Sequence, residues 1–119
     1  MADDGIFIGF GAPVPGREHE ALQVFKDALE YYGQLVEEGE LESVVPVLLD
    51  PHGNELGGYI YLYGEYAKLA ELRQREEFMR IQIRAGLAVE NLGVVGAVTG
   101  DALMRRMALY EEQVSAITS

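Results

Sequence analysis

The chain has no cysteine and no tryptophan, and only two of its 119 residues are histidine. Without thiols it can form neither a disulfide nor a thiolate metal site, and it lacks a cysteine nucleophile. The two histidines, His19 and His52, stand far apart and do not predict a metal site. We therefore expect no metal and no cofactor, and the missing cysteines fit a reducing compartment.

Positive charge is also scarce, with 9 Lys and Arg against 20 Asp and Glu, a formal net charge of −11. Such a surface repels phosphate backbones and anionic membranes, so we expect no nucleic-acid partner and no membrane partner. No apolar run approaches the roughly 20 residues of a membrane-spanning helix, and the acidic start Met1–Gly5 lacks the basic character of a signal peptide. The sequence predicts one soluble, cytoplasmic domain over residues 1–119.

Recognisable catalytic and nucleotide-binding motifs are missing as well. There is no Walker loop, no Rossmann glycine fingerprint, no HExxH zinc motif and no nucleophile elbow. The composition and motifs therefore assign no reaction class.

The clearest feature that is present is a β-hairpin over Leu41–Gly64. Asp50-Pro51-His52-Gly53 carries the residues favoured in a type I turn, and Pro46 indicates an edge strand or a bulge. Side chains of a strand alternate between its faces. One face should therefore carry Tyr59, Tyr61 and Tyr63, and the other Ile60 and Leu62. The register stays open between a three-residue loop with a bulge and a longer loop.

The longest amphipathic helix is predicted over Arg17–Glu38, with Gly39 as its stop. Its inner face carries Ala21, Phe25, Ala28, Tyr32 and Leu35. Gly33 interrupts this helix at a cost of about 1 kcal/mol relative to alanine. It indicates either close packing of the helix on the sheet or room for a ligand.

The remaining elements follow from shorter apolar patterns. Strands are predicted over Gly5–Gly11 and Leu87–Gly100. One helix is predicted over Glu65–Arg73, with Tyr66, Leu69 and Ala70 facing inward, and a second over Glu76–Ala85, ending at Gly86. A last helix begins after Asp101 as its N-cap. The last helix has one apolar face formed by Leu103, Met107, Tyr110, Val114 and Ile117. The order β-α-β-β-α-β-α predicts an α+β ferredoxin-like sheet with its main helices on one face. The other face would carry the tyrosines, so we expect a two-fold homodimer to cover it.

Two stretches resemble the dimeric α/β-barrel superfamily, nearest to YCII-related proteins, over Ala28–Val95. They are LEYYGQLVEEGELESVVPVLLDPHGNELGG and EEFMRIQIRAGLAVENLGV. The resemblance implies two ferredoxin-like sheets packed face to face. It also implies a histidine on the first helix, but Ala28 stands at that position, and the acidic-Pro-aromatic motif occurs as Glu76-Glu77-Phe78 without its proline. Members of the superfamily include cofactor-independent monooxygenases, isomerases and proteins with no known activity.

Seven residues are candidates for a site. Asp50 and His52 are catalytic candidates, because histidine titrates near neutrality and an acid stands beside it; the alternative for His52 is turn formation. Candidate ligand-binding residues are Tyr32, Tyr61, Tyr63, Arg84 and Asn91. Tyr32 could instead pack in the core, and Tyr61 and Tyr63 could form a dimer interface. Arg84 could belong to a salt-bridged helix face with Glu76 and Arg80. Asn91 could form hydrogen bonds where the last strand begins.

Two functions follow as hypotheses. The first is a homodimer that carries out cofactor-independent chemistry on a small apolar or aromatic molecule held in a pocket of each protomer. The second is a non-catalytic dimer, either binding a small molecule or purely structural. A cavity of a few hundred Å³ between sheet and helices, with polar groups converging on it, would favour the first over a merely structural role.

Overall fold

The computed structural model describes residues 2–118, so Met1 and Ser119, the two ends of the predicted domain, lie outside the described residues. The elements, in chain order, are β1 (Asp4–Phe10), α1 (Glu18–Glu37), β2 (Ser43–Leu48), β3 (Gly58–Gly64), α2 (Tyr66–Gln74), α3 (Glu76–Ala88), β4 (Gly93–Val98) and α4 (Gly100–Thr118). The strands pair antiparallel in the order β2-β3-β1-β4. The predicted ferredoxin-like arrangement is confirmed. No helix among residues 2–118 has both the length and the apolar character to cross a membrane.

One face of the sheet forms the core with the helices. Ile6 and Ile8 of β1 lie opposite Leu62 and Ile60 of β3, and all four are buried. Helix α1 covers them with its buried stripe of Ala21, Val24, Ala28, Tyr32 and Leu35, and α3 adds Phe78, Ile81 and Ala88. The predicted helix stripe is confirmed except at Phe25, which is half-buried while Val24 is buried instead.

The opposite face carries the aromatic residues, as the alternation predicts. Tyr59, Tyr61 and Tyr63 lie opposite Gly9, Phe7 and Gly5 of β1. The rings form two pairs along the strands, Phe7 with Tyr59 (5.2 Å between centroids) and Tyr61 with Tyr63 (4.5 Å). The ring of Tyr61 lies directly on Gly5, where any β-carbon would collide with it. These rings are only half-buried in the single chain.

The edge position predicted from Pro46 is confirmed, because β2 pairs only with β3 in the described sheet. The connection between β2 and β3 is the longer-loop alternative. The ladder continues through the hydrogen bond from Leu49 N to Gly57 O (2.9 Å), and residues 50–56 then leave the sheet. The expected tight turn at Asp50–Gly53 is therefore only the first half of a loop, in which Gly53 has the left-handed φ of +77°.

Two predicted boundaries are wrong at the end of α3. The helix runs through Gly86 to Ala88, and β4 begins at Gly93 rather than at Leu87. The helix continues through Gly86, although glycine costs a helix about 1 kcal/mol, because Ala85 and Ala88 on either side pack against the core. The chain turns instead at Asn91, whose φ is +56°.

Smaller corrections concern α2, α4 and Gly33. In α2 the buried residues are Leu69 and Leu72, whereas Tyr66 is 71% exposed and Ala70 is also exposed. Helix α4 begins at Gly100, which places Asp101 in its first turn rather than at the N-cap. No atom lies within 4 Å of a β-carbon built on Gly33. Close packing therefore does not explain that glycine.

Candidate functional site

A cavity of about 600 Å³ lies between the sheet and the helices, at the end of the sheet where the β2–β3 loop emerges. Its walls are Ile8 and Ile60 from the sheet, Val24, Ala28 and Tyr32 from α1, Ile81, Gln82 and Ala85 from α3, and residues 48–57 from the loop. The volume lies within the range of pockets that bind small organic molecules. The side chains of α1 and α3 form this cavity because both helices present their apolar stripes to the same sheet face.

The loop forms the outer wall and is shaped by its own short-range hydrogen bonds. Asn54 Oδ1 accepts a hydrogen bond from Leu56 N (3.1 Å), an Asx turn. Nδ1 of His52 lies 2.9 Å from the main-chain O of Asp50. Because that oxygen can only accept, Nδ1 carries a proton, and in the neutral ring Nε2 has the lone pair.

One polar contact lies at the buried end of this apolar cavity. Gln82 Nε2 donates to the Tyr32 hydroxyl at 2.7 Å and joins α3 to α1. The other amide atom, Gln82 Oε1, is buried and has no hydrogen-bond partner among residues 2–118. If the amide turned over, Tyr32 would donate to Oε1 and Nε2 would lack a partner instead. In either orientation one polar atom of Gln82 lacks a partner.

Burial keeps the Tyr32 phenol neutral. The ring is 1% exposed, and removal from water raises the pKa of Tyr32 far above its ordinary value of 10.0, although the hydrogen bond from Gln82 opposes part of this rise. A neutral phenol keeps its proton and can donate a hydrogen bond while it accepts one from Gln82. The Tyr32–Gln82 pair beside the cavity thus keeps one donor and one acceptor that are not used within the pair.

Three of the seven predicted site residues meet at this cavity. Tyr32 lies at its buried end, and Asp50 and His52 lie in its outer wall. Asp50 orients His52 through its main-chain oxygen, not through its carboxylate. The pairing of the two side chains as an acid–base couple therefore stays a prediction.

The other four predicted residues lie elsewhere. Tyr61 and Tyr63 project from the opposite face of the sheet. Arg84 is 47% exposed and pairs with Asp27 of α1 at 2.8 Å, which holds the pKa of that carboxyl below its ordinary value of 3.8, with help from Gln23. Asn91 is exposed in the turn before β4. None of the four lines the cavity.

Gln82 is the site residue that the sequence did not predict. It follows the core residue Ile81 on α3, and a glutamine one position from an apolar stripe is usually at the edge of a solvated face. No motif surrounds it. Its proximity to Tyr32, 50 positions away, emerges only when α1 and α3 pack side by side.

Similar solved structures share the fold at low sequence identity. A dimeric ferredoxin-like protein of unknown function from Bacteroides fragilis has a TM-score of 0.57 and 12% identity, over 81% of this chain and 96% of that one. One from Jannaschia sp. has a TM-score of 0.59 and 14% identity, over 81% and 99%. A hypothetical protein of Arabidopsis thaliana has a TM-score of 0.60 and 9% identity, over 85% and 91%.

These similarities show a ferredoxin-like fold. They do not show a function, because proteins with sequence identities this low can share a fold and differ in function. No protein-family model matches the sequence, and no curated protein matches it. The residues of the cavity are therefore the basis for any statement on function.

Proposed function

We propose that the chain is a cytoplasmic homodimer in which each protomer binds a small, mostly apolar organic molecule between its sheet and its helices. The observation that carries this proposal is the cavity of about 600 Å³, walled by apolar side chains and ending at the Tyr32–Gln82 pair. An apolar pocket with a few polar groups that fix orientation is the usual form of a small-molecule site. A purely structural domain gains nothing from an unfilled cavity, because contacts are lost around it.

The Tyr32–Gln82 pair at the buried end of the cavity determines which chemical groups a ligand should carry. A hydroxyl, a carboxylic acid or an amide can donate to Gln82 and accept from Tyr32, or make the reverse pair if the amide of Gln82 turns over. A purely apolar molecule leaves the amide atom without a partner, a state that costs about 1–3 kcal/mol. The ligand is therefore an apolar or aromatic body with one such group.

Two probes that differ by one hydroxyl test this proposal. We expect 1-naphthol to bind to the protein more tightly than naphthalene, by a factor on the order of 10, when both are titrated by fluorescence. Gln82→Leu should abolish that preference and leave naphthalene binding largely intact. Gln34→Leu, at an exposed glutamine of α1, is the matched control.

Blocking the cavity tests its location. Ala85→Phe should prevent both probes from binding, because Ala85 lines the cavity and a ring would fill that space. Ala70→Phe, at an exposed alanine of α2, should have no effect. Unchanged binding to Ala85→Phe would place the probes elsewhere and contradict the proposal.

The homodimer rests on the open sheet face. Phe7 and the three tyrosines form an aromatic patch whose rings are only half-buried in one chain. The Tyr61 hydroxyl is buried within this patch, has no partner among residues 2–118, and has a raised pKa because burial disfavours the phenolate. A second copy would cover the rings and can supply the missing partner. The neighbours from Bacteroides fragilis and Jannaschia are themselves described as dimeric. The resemblance to YCII-related proteins stays a prediction.

Catalysis is a second candidate function, favoured by the orientation of His52. Its Nδ1–H is held by the Asp50 carbonyl, so in the neutral ring Nε2 is the nitrogen that can remove a proton from a molecule in the cavity. With 2-tetralone, an aromatic ketone with acidic α-protons, NMR in D2O should show accelerated proton exchange. His52→Gln should abolish the acceleration, and His19→Gln should not. Equal rates with and without protein would leave binding as the function.

A further inference from the structure

Helix α4 is a long helix that makes few contacts with the other elements of residues 2–118. None of its residues within Gly100–Thr118 is buried, and five of its apolar side chains are more than half exposed: Met104, Met107, Leu109, Tyr110 and Ile117. The radius of gyration is 16.4 Å, against about 13.5 Å for a compact chain of this length, and the longest axis is 55 Å. A single helix of this length has little stability of its own in water. Another surface must therefore cover its apolar face.

The spacing of five apolar residues of α4 fits packing against another helix, while Met104 and Leu109 lie outside that spacing. Leu103, Met107, Tyr110, Val114 and Ile117 follow one another at steps of four and three residues. A strict four–three pattern forms the narrow seam by which two helices pack side by side. A helix that packs on a sheet shows a wider stripe, as α1 does here.

The charges of α4 are complementary to those of a second, antiparallel copy. Arg105 and Arg106 lie in its first half, and Glu111 and Glu112 in its second half. None of the four forms an ion pair with the described residues 2–118. An antiparallel pair brings the basic half of each helix beside the acidic half of the other and also opposes the helix dipoles.

We propose that α4 packs antiparallel against α4 of a second copy of this chain. In the register that centres the charges, Leu103 lies opposite Val114 of the other copy, and Met107 lies opposite Tyr110. The α4 contact uses neither the cavity nor the aromatic sheet face. A result that refutes it therefore leaves the function proposed above unaffected.

Disulfide trapping tests both the pairing and its direction, since the chain has no cysteine of its own. Leu103→Cys and Val114→Cys are made as separate variants, mixed and oxidised. The products are distinguished by intact mass spectrometry. In the antiparallel register the two different cysteines meet, whereas two copies of Leu103→Cys hold their thiols about 16 Å apart along the helix axis. We expect the mixed disulfide to form at least tenfold faster than either homodimeric disulfide.

A neighbouring position provides the control. Ser115→Cys is one residue further on and points away from the seam, so its mixture with Leu103→Cys should cross-link at the rate of random collision. All three positions are exposed, which leaves the fold undisturbed. Equal cross-linking through Val114→Cys and Ser115→Cys, faster homodimeric disulfides, or no cross-link at all would each overturn the proposal.

Discussion

At the scale of single residues, the Tyr32–Gln82 pair is the contact that stability alone does not explain. The amide contributes one hydrogen bond and leaves its other polar atom buried without a partner. Such an atom costs about 1–3 kcal/mol, about as much as one hydrogen bond contributes or more. An apolar side chain at position 82 would avoid that cost. The glutamine makes sense if a ligand completes its hydrogen bonds.

A double-mutant cycle measures that cost. Tyr32→Phe should lower the free energy of unfolding by about 1–3 kcal/mol, since it leaves the buried amide of Gln82 with no partner at either end. Adding Gln82→Met should restore most of the loss, because both polar groups are then gone. Urea denaturation gives the stabilities, and the double variant should no longer prefer 1-naphthol over naphthalene. Simple additivity of the two single losses would contradict this account.

The ion pair between Arg84 and Asp27 makes a pH-dependent contribution. The pKa of Asp27 is lower in the folded chain than its ordinary value of 3.8, chiefly through its hydrogen bond with Arg84. The pair therefore stabilises the fold above about pH 3.8, and its contribution disappears as the pH falls through the lowered pKa.

We accordingly expect Arg84→Gln to be less stable than the wild type at pH 7 and equal to it below the lowered pKa, in thermal melts across a pH series. Arg80→Gln removes the same charge from the same helix, but Arg80 pairs only within α3, with Glu76 and Glu77. It should show a smaller change. Binding of 1-naphthol should be unaffected by Arg84→Gln, because Arg84 does not line the cavity; a loss of binding would restore Arg84 as a ligand-binding residue.

At the scale of elements, the parts predictable from sequence are those with a strong period. The alternation of Tyr59–Tyr63 with Ile60 and Leu62 predicted both faces of β3, and Pro46 predicted the edge. The end of α3 was not predictable from Gly86, because core packing of Ala85 and Ala88 offsets the cost of about 1 kcal/mol that glycine adds to a helix. The site was only partly predictable. The alternation along β3 separates Tyr61 from Ile60 and Leu62, but it does not show which of the two faces borders the cavity.

Gly33 and Gly39 give a matched test of glycine in and after α1. Neither would meet an atom within 4 Å if it carried a β-carbon, but Gly39 has a φ of +77° whereas Gly33 is helical. We expect Gly33→Ala to raise the free energy of unfolding by about 0.5–1 kcal/mol. Gly39→Ala should lower it by a similar amount or more, because alanine is strained at that φ. A destabilised Gly33→Ala would show that this position faces a surface outside the single chain.

At the scale of the whole molecule, the two sheet faces have different roles. The face of Ile6, Ile8, Ile60 and Leu62 holds the chain's own helices and the cavity. The opposite face holds rings that are only half-buried in one chain. Successive side chains of β3 point to opposite faces. A substitution on the aromatic face should therefore affect association of the chains, whereas one at the next position should affect the stability of the fold.

Tyr61→Glu should therefore dissociate the proposed homodimer and leave the protomer folded. A carboxylate placed in the centre of a two-fold interface faces its own copy, and two buried like charges cost several kcal/mol. In a chain that also carries Met107→Glu, which breaks the contact proposed for α4, light scattering after size exclusion should give the mass of one chain, 13.1 kDa, while circular dichroism keeps its helical signal. Tyr66→Glu, at the exposed tyrosine of α2, should retain the dimer mass in the same Met107→Glu background. Should Tyr61→Glu keep that mass as well, the aromatic face would not be the interface. Binding of 1-naphthol to the monomeric variant then shows whether one chain suffices to form the cavity.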